Sequence, residues 1–257
     1  MLELNKTSLY KSHVELNAKM VEFAGYLMPI QYSRGIQDEY MAVRKDVGVF
    51  DVSHMGVFSI KGENCDEFLN NILSNNITKL QNGKAMYTLL CNREGGVIDD
   101  LIIYRIHDEF ILIVNASNKD KDLKWIIDNN LNEGIKINDI SANTSLVAIQ
   151  GPNSKSKIEN ALNIDLDLDF YSCIKIDSDY GNIFIARTGY TGELGFEILG
   201  DSSVINNIWN QLISNQTTPI GLAVRDILRI EMGYCLYGHE IDENINPLDA
   251  RLGWVID

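Results

Sequence analysis

The stretch Gly95-Gly96-Val97-Ile98-Asp99-Asp100-Leu101-Ile102-Ile103-Tyr104 reads as a glycine turn feeding a strand. β-Branched and aromatic residues crowd behind the glycine pair, the pattern of a half-buried or buried strand bounded by a turn. Side chains alternate along a strand, so Asp100, Ile102 and Tyr104 share one face and Asp99, Leu101, Ile103 and Arg105 the other. Two carboxylates at the head of an apolar run must find donors, take up a proton, or stay at a wet rim. The simplest reading makes both aspartates turn residues flanking the Gly-Gly loop. On that pattern Asp99 has a candidate neighbour in Arg105's row, whereas Asp100 has a tyrosine two steps along its own face and no evident cation.

Working outward, residues 85–92, 97–106 and 110–115 predict a β-meander, and 118–130 an amphipathic helix packed on it. Upstream, apolar spacing predicts a helix over 36–46, after a loop holding Pro29 and Gly35. A strand over 50–60 and a short helix over 64–73 follow. After Gly134 the pattern restarts: a strand at 145–150, a Gly151-Pro152 break, a helix near 155–162, strands near 171–176 and 182–187, and a helix over 201–214. Two α+β modules are implied. The strand–helix alternation is too irregular for a doubly wound parallel sheet.

With 257 residues and ordinary globular composition the chain can bury a large core. A net charge of −14 repels nucleic-acid backbones and anionic lipid surfaces, so an anionic small ligand would need a local cation such as Arg225. Cys65, Cys91, Cys173 and Cys235 show neither disulfide nor zinc spacing, and His13, His54, His107 and His239 show no paired spacing; no metal is expected. The N-terminus lacks a secretory pattern, and no apolar stretch approaches the ~20 residues of a membrane span, so a cytoplasmic protein is expected.

Gly189, Gly192 and Gly195 superficially resemble a phosphate loop, but the spacing fails the dinucleotide fingerprint, and a glycine-rich connection between strands is the simpler reading. Glu197, between Phe196 and Ile198, is a second carboxylate in an apolar strand, suited to a guanidine-like ring edge. Ser53-His54 lacks a nucleophile elbow and reads as structural. The aromatic run Tyr234-Cys235-Leu236-Tyr237 reads as packing, and Lys119, Lys121 and Lys124, interleaved with Asp120 and Asp122, as a solvated helix face.

Taken together, Ala18-Lys19-Met20-Val21-Glu22-Phe23-Ala24-Gly25, Val43-Arg44-Lys45, Phe50-Asp51-Val52-Ser53-His54-Met55-Gly56, the Gly95–Tyr104 run, Val114-Asn115-Ala116-Ser117-Asn118, Arg187-Thr188-Gly189-Tyr190-Thr191-Gly192-Glu193, Ala223-Val224-Arg225-Asp226 and Leu236-Tyr237-Gly238 through Asp242-Glu243 closely resemble the aminomethyltransferase of the glycine cleavage system, the T-protein. The resemblance runs from Leu9 onward. It implies transfer of an aminomethylene unit from the lipoyl group of a carrier protein, the H-protein, to tetrahydrofolate, with release of ammonia and formation of 5,10-methylenetetrahydrofolate. It assigns the family's functional aspartate to Asp100, a pterin-binding carboxylate to Glu197 and a binding arginine to Arg225. Tyr87, Tyr104 and Tyr190 are assigned as aromatic pocket positions, and Met55, Ile113 and Asn115 as further wall positions.

The implied fold has a discontinuous first α+β domain, 1–50 plus 140–257, and an inserted ferredoxin-like domain, 51–139. A third, β-rich C-terminal domain of the family is expected to be absent. Tyr26 stands where the family usually has tryptophan. A bacterial cytoplasmic monomer without metal, nucleic acid or membrane partners completes the expectation. Two other readings keep the scaffold: a non-catalytic folate-binding relative that assists iron–sulfur assembly, and a folate-dependent demethylase with another donor.

Overall fold

A computed structural model describes residues 4–257, which divide into two compact units. One is built from the chain up to His54 together with Asn143–Tyr234; the other from Met55–Ala142 together with Cys235–Asp257.

The first unit opens with β1 (Asn5–Lys6), α1 (Tyr10–Glu15) and a hairpin of β2 (Lys19–Phe23) and β3 (Tyr26–Gln31). Phe23 pairs with Tyr26 across a two-residue turn whose Ala24 and Gly25 both have positive φ, at 49° and 79°. That geometry matches the right-handed strand twist. Pro29, read from sequence as loop, lies inside β3. Helix α2 (Ile36–Lys45) and β4 (Gly48–Asp51) follow.

The strand expected over 50–60 is two strands. Asp51 accepts a hydrogen bond from the Ser53 backbone N–H at 2.8 Å, closing a turn, and Ser53 Oγ donates to the Leu146 carbonyl at 3.0 Å. The chain then resumes as β5 (Gly56–Lys61) in a different sheet.

In the second unit β5 is followed by α3 (Cys65–Ile72), β6 (Lys84–Cys91), β7 (Val97–Ile106), β8 (Glu109–Val114), α4 (Lys119–Asp128) and β9 (Lys136–Asp139). The sheet order is β6-β7-β8-β5-β9, all antiparallel. The predicted meander lies at its centre. Phe58, Ile60, Phe68, Leu69, Ile103, Leu112 and Ile126 form one buried cluster between the sheet and its helices.

Back in the first unit, β10 (Thr144–Gln150), α5 (Ser154–Leu162), β11 (Cys173–Ser178), β12 (Gly181–Ala186), β13 (Gly195–Asp201), α6 (Ser202–Ser214), β14 (Thr218–Ile220) and α7 (Leu222–Met232) complete the described elements. The six-stranded order is β11-β12-β13-β10-β4-β14. Helix α6 repeats apolar residues at Val204, Ile205, Ile208, Trp209 and Leu212, and this stripe packs into the core with Val147, Ile149, Ile185 and Ile198. Both units are α+β, as expected.

Cys235–Asp257 packs with the second unit, whereas the sequence reading kept it with the first. The reason is local. The Val97 backbone N–H donates to the carbonyls of Asp242 (3.0 Å) and Ile245 (3.2 Å), and Leu252, Val255 and Ile241 share a cluster with Leu89 and Val97. Gly96 permits this approach, because a Cβ there would lie 1.7 Å from the Glu243 carbonyl oxygen. Gly96→Ala must therefore displace backbone. It is expected to cost about 3 kcal/mol, the upper range for overpacking, and to remove the hydrogen-exchange protection of the Val97 amide. Unchanged protection would count against the pinning role.

Candidate functional site

Neither aspartate at the head of β7 is a turn residue. Asp99 pairs with Leu90 and Asp100 with Leu89 of β6, while β8 begins to pair only at Leu101↔Val114. The gap left by β8 is filled by Asn115. Its backbone N–H donates to Asp99 Oδ2 at 3.0 Å, and its side-chain Nδ2 donates to Asp99 Oδ1 at 2.9 Å and to Asp100 Oδ1 at 2.8 Å. Asn118 Nδ2 adds a third donor to Asp99 at 2.6 Å. Arg105, suggested by strand alternation as Asp99's neighbour, instead pairs with Asp66 at 2.6 Å.

Asp100 accepts from Tyr87 Oη at 3.0 Å on its other oxygen. Both of its side-chain donors, Tyr87 and Asn115, are neutral. Burial, followed by the adjacent Asp99 charge, pushes its pKa up to about 7 against these hydrogen bonds. It is a carboxylate whose proton comes and goes near neutrality. The Tyr87 ring stacks on exposed Trp254 with centroids 5.5 Å apart. Tyr104, on Asp100's face, is buried; Ile113 and Met55 are partly exposed in the same unit.

The first unit holds Glu197, Arg225 and Tyr190 together. Glu197 on β13 sits in a cross-strand row between Ala148 and Ala186, so small side chains flank it on both sides. Thr188 Oγ1 donates to its Oε2 at 2.5 Å. The Arg225 guanidinium lies 4.6 Å over the Tyr190 ring, which stacks on Tyr234 with centroids 5.6 Å apart. Glu197 and Tyr190 favour the Arg225 charge, while burial, the larger effect, lowers its pKa. His54 is buried against Phe23 and Tyr26, and burial, more than the Arg225 charge, depresses it to about 4, so it is neutral at physiological pH.

Gly189, Gly192 and Gly195 serve packing. A Cβ on Gly189 or Gly195 would strike the Gln150 side chain at 2.1 and 2.2 Å, and one on Gly192 would strike Met232 Sδ at 2.2 Å. Gln150 is buried there and donates to the Thr188 carbonyl while accepting from Thr191 Oγ1. The aromatic run read as plain packing is more specific: Tyr234 is the stacking partner of Tyr190, and Tyr237 accepts from Lys121 Nζ at 2.7 Å.

Sequence reading also missed Asp122, which it placed on a solvated helix face. Asp122 is 0% exposed. Its signal was Asn115, Asn118 and Asp122, which fall at i, i+3 and i+7 and so line one side of the entry to α4. Among the described residues no group of three or more His, Cys, Asp or Glu side chains could hold a metal ion, and no helix is long and apolar enough to cross a membrane.

Fold and site thus define an α+β protein with a near-neutral aspartate supported by amide and phenol in one unit and a glutamate–arginine–tyrosine group in the other. The model of the GCVT N-terminal domain matches residues 9–257, and the chain belongs to this family, that of the glycine cleavage T-protein. The aminomethyltransferase of Thermotoga neapolitana is 43% identical, aligned over 98% of this chain and 71% of its own length. That of Chlorobium limicola is 46% identical over 98% and 72%. The crystal structure of glycine cleavage system aminomethyltransferase T from Bartonella henselae superposes with a TM-score of 0.93 at 32% identity, covering 99% of this chain and 70% of that one. A heterotetrameric sarcosine oxidase from Corynebacterium shares the fold alone, at 14% identity and a TM-score of 0.56.

Proposed function

We propose that the chain is a tetrahydrofolate-dependent aminomethyltransferase of glycine cleavage, taking the aminomethylene unit from the lipoyl arm of a carrier protein to tetrahydrofolate, with ammonia released and 5,10-methylenetetrahydrofolate formed. The observation that carries this reading is Asp100: a carboxylate held by two neutral side-chain donors, Tyr87 and Asn115, and poised near pH 7. Its charge is available to a cation, and the carbon in transfer passes through an iminium-like cation that such a fixed carboxylate stabilises. The same group can hold the proton that accompanies loss of ammonia.

Glu197 is proposed to accept hydrogen bonds from the donor edge of the pterin, the room for it supplied by Ala148 and Ala186. Arg225 is proposed to meet the acidic tail of the folate, and Tyr190, Tyr87, Tyr104, Asn115, Ile113 and Met55 are proposed as further substrate-binding residues. The reading carries with it a lipoyl carrier protein as partner, a bacterial cytoplasmic location and action as a monomer.

Calorimetric titration of tetrahydrofolate into the full chain tests the binding half. Hydrogen bonds to charged groups contribute about 1.5–3 kcal/mol, so Glu197→Gln is expected to weaken binding by about 10- to 150-fold. A parent chain that binds no tetrahydrofolate, or a variant with unchanged affinity, sinks the folate assignment.

A further inference from the structure

We propose that Asp122 is a positioning residue: held as the neutral acid, it donates a hydrogen bond to Asp99 and so fixes the Asn115 amide with its NH2 turned toward Asp100. The inference rests on the reading of Asp100 as the functional carboxylate, and it concerns side chains of the second unit only.

Asp99 and Asp122 are both completely buried, and Asn118 joins them: its amide donates to Asp99 Oδ1 at 2.6 Å and its backbone carbonyl accepts the Asp122 backbone N–H at 2.8 Å, so each carboxyl feels the other's charge. Asp99 receives three hydrogen bonds, from the Asn115 backbone N–H, the Asn115 amide and the Asn118 amide. Neither oxygen of Asp122 receives one from any described residue. Two buried carboxylates that feel each other's charge cannot both be ionised, and the one without donors takes the proton. One proton on Asp122 therefore satisfies the pair, becoming the donor that Asp99 still accepts.

The surrounding charges agree. Burial raises Asp122 most, the Asp99 and Asp100 charges on β7 raise it further, and Lys121, on its own helix, opposes. Lys121 is itself engaged by Tyr237 Oη and by Glu243, at 2.7 and 2.9 Å. Burial raises Asp99 as well, and its three amide donors pull it back toward the anion.

Asn115 links this pair to Asp100. Both hydrogens of its NH2 are taken, one by each aspartate; a flipped amide would set its carbonyl oxygen against two carboxyl oxygens. An anionic Asp99 also raises the pH at which Asp100 ionises. Asp122 thus acts on Asp100 at two removes, by keeping Asp99 charged and Asn115 oriented.

Infrared spectroscopy of the full chain carrying 13C-labelled aspartate reads the proton directly. Asp100 is followed by the loss of its acid band near pH 7. The expected result is a second acid C=O band that persists at pH 9 in the parent chain and vanishes in Asp122→Asn, which keeps the donor and leaves the Asp100 midpoint unmoved. Asp122→Leu removes the donor, and Asp99, still buried and left with its three amide donors alone, is expected to take up a proton more readily than in the parent. The Asp100 midpoint is expected to fall by about one unit as its charged neighbour is lost. No acid band at pH 9 in the parent, a band that survives Asp122→Asn, or an Asp122→Leu titration identical to the parent would each overturn the proposal. If the leucine variant fails to fold, the parent and asparagine spectra decide. None of these readings requires tetrahydrofolate, so failure of the proposed function appears separately, in the binding titration.

Discussion

Asp100→Asn is expected to abolish most aminomethyl transfer while making the protein more stable at pH 8. The substitution keeps shape and an acceptor for the Asn115 amide, with Tyr87 Oη able to accept from the new NH2, but removes both the charge and the proton-accepting group. Loss of a positioned acid–base or charge-stabilising side chain costs about 10²–10⁴-fold in rate. The sign of the stability effect follows from linkage. The folded protein holds the Asp100 proton up to about pH 7, above the ordinary carboxylate value of 3.8, so the native state binds more protons than the unfolded one across that window. Stability from this group therefore falls as pH rises from about 4 to 7 and is level above. At pH 8 the carboxylate is a net burden of up to about 4 kcal/mol, less the part screened by solvent at its partly exposed edge. Parent activity should climb with pH through about 7 with a single ionisation. Denaturant titrations of both proteins at pH 5 and pH 8, set beside transfer assays, check both halves; a variant that transfers normally removes Asp100 from the chemistry.

The central meander was legible because β6, β7 and β8 are short runs rich in β-branched and aromatic residues bounded by turn residues, and α6 because five apolar residues mark one stripe. The break between β4 and β5 was not. It depends on Asp51 turning its carboxylate back onto the Ser53 amide, an interaction with no periodic signature. The β2–β3 hairpin hid behind Ala24, a residue seldom found with positive φ. Helix α7 was not read from the sequence; on it Leu222, Val224 and Leu228 are buried, Ile227, Ile230 and Met232 are exposed, and the buried Arg229 is held by Asp226 and the Tyr234 carbonyl.

At the candidate site, residue type and family resemblance marked Asp100, Glu197 and Arg225, and strand position added that Asp100 had no obvious cation. Alternation alone named the wrong partner for Asp99. Arg105 lies in its row, but amides from beyond the end of β8 reach the carboxylate first. Asp122 was hidden by the lysines around it: alternating charge signals solvent on average, and here one member of the run points inward.

The same logic of buried donors governs the largest stability effect expected in the first unit, at Asp51. This carboxylate, 1% exposed, accepts from Thr7 Oγ1 at 2.7 Å, from His13 Nε2 at 2.8 Å and from the Ser53 backbone N–H. With Nε2–H given to the carboxylate, His13 Nδ1 is free to accept from Tyr32 Oη at 2.9 Å, so one tautomer satisfies the whole row from Tyr32 to Asp51. Burial would raise Asp51, yet the His13, Ser53 and Thr7 hydrogen bonds outweigh it and hold the pKa below the ordinary value. Each buried donor stranded by Asp51→Ala costs about 1–3 kcal/mol. With the Thr7 hydroxyl and the His13 N–H both enclosed, a total loss of about 4 kcal/mol is expected. An exposed comparator, Asp120→Ala, should change stability by under about 0.5 kcal/mol. Because the folded pKa is depressed, the contribution is present above the unfolded value and lost as pH falls through the folded one. The gap between parent and Asp51→Ala should therefore be constant at neutral pH and narrow below about pH 4. Urea denaturation across that range decides the matter: a gap that stays as wide in acid as at neutrality would mean that Asp51 stabilises the fold by packing and not by its charge.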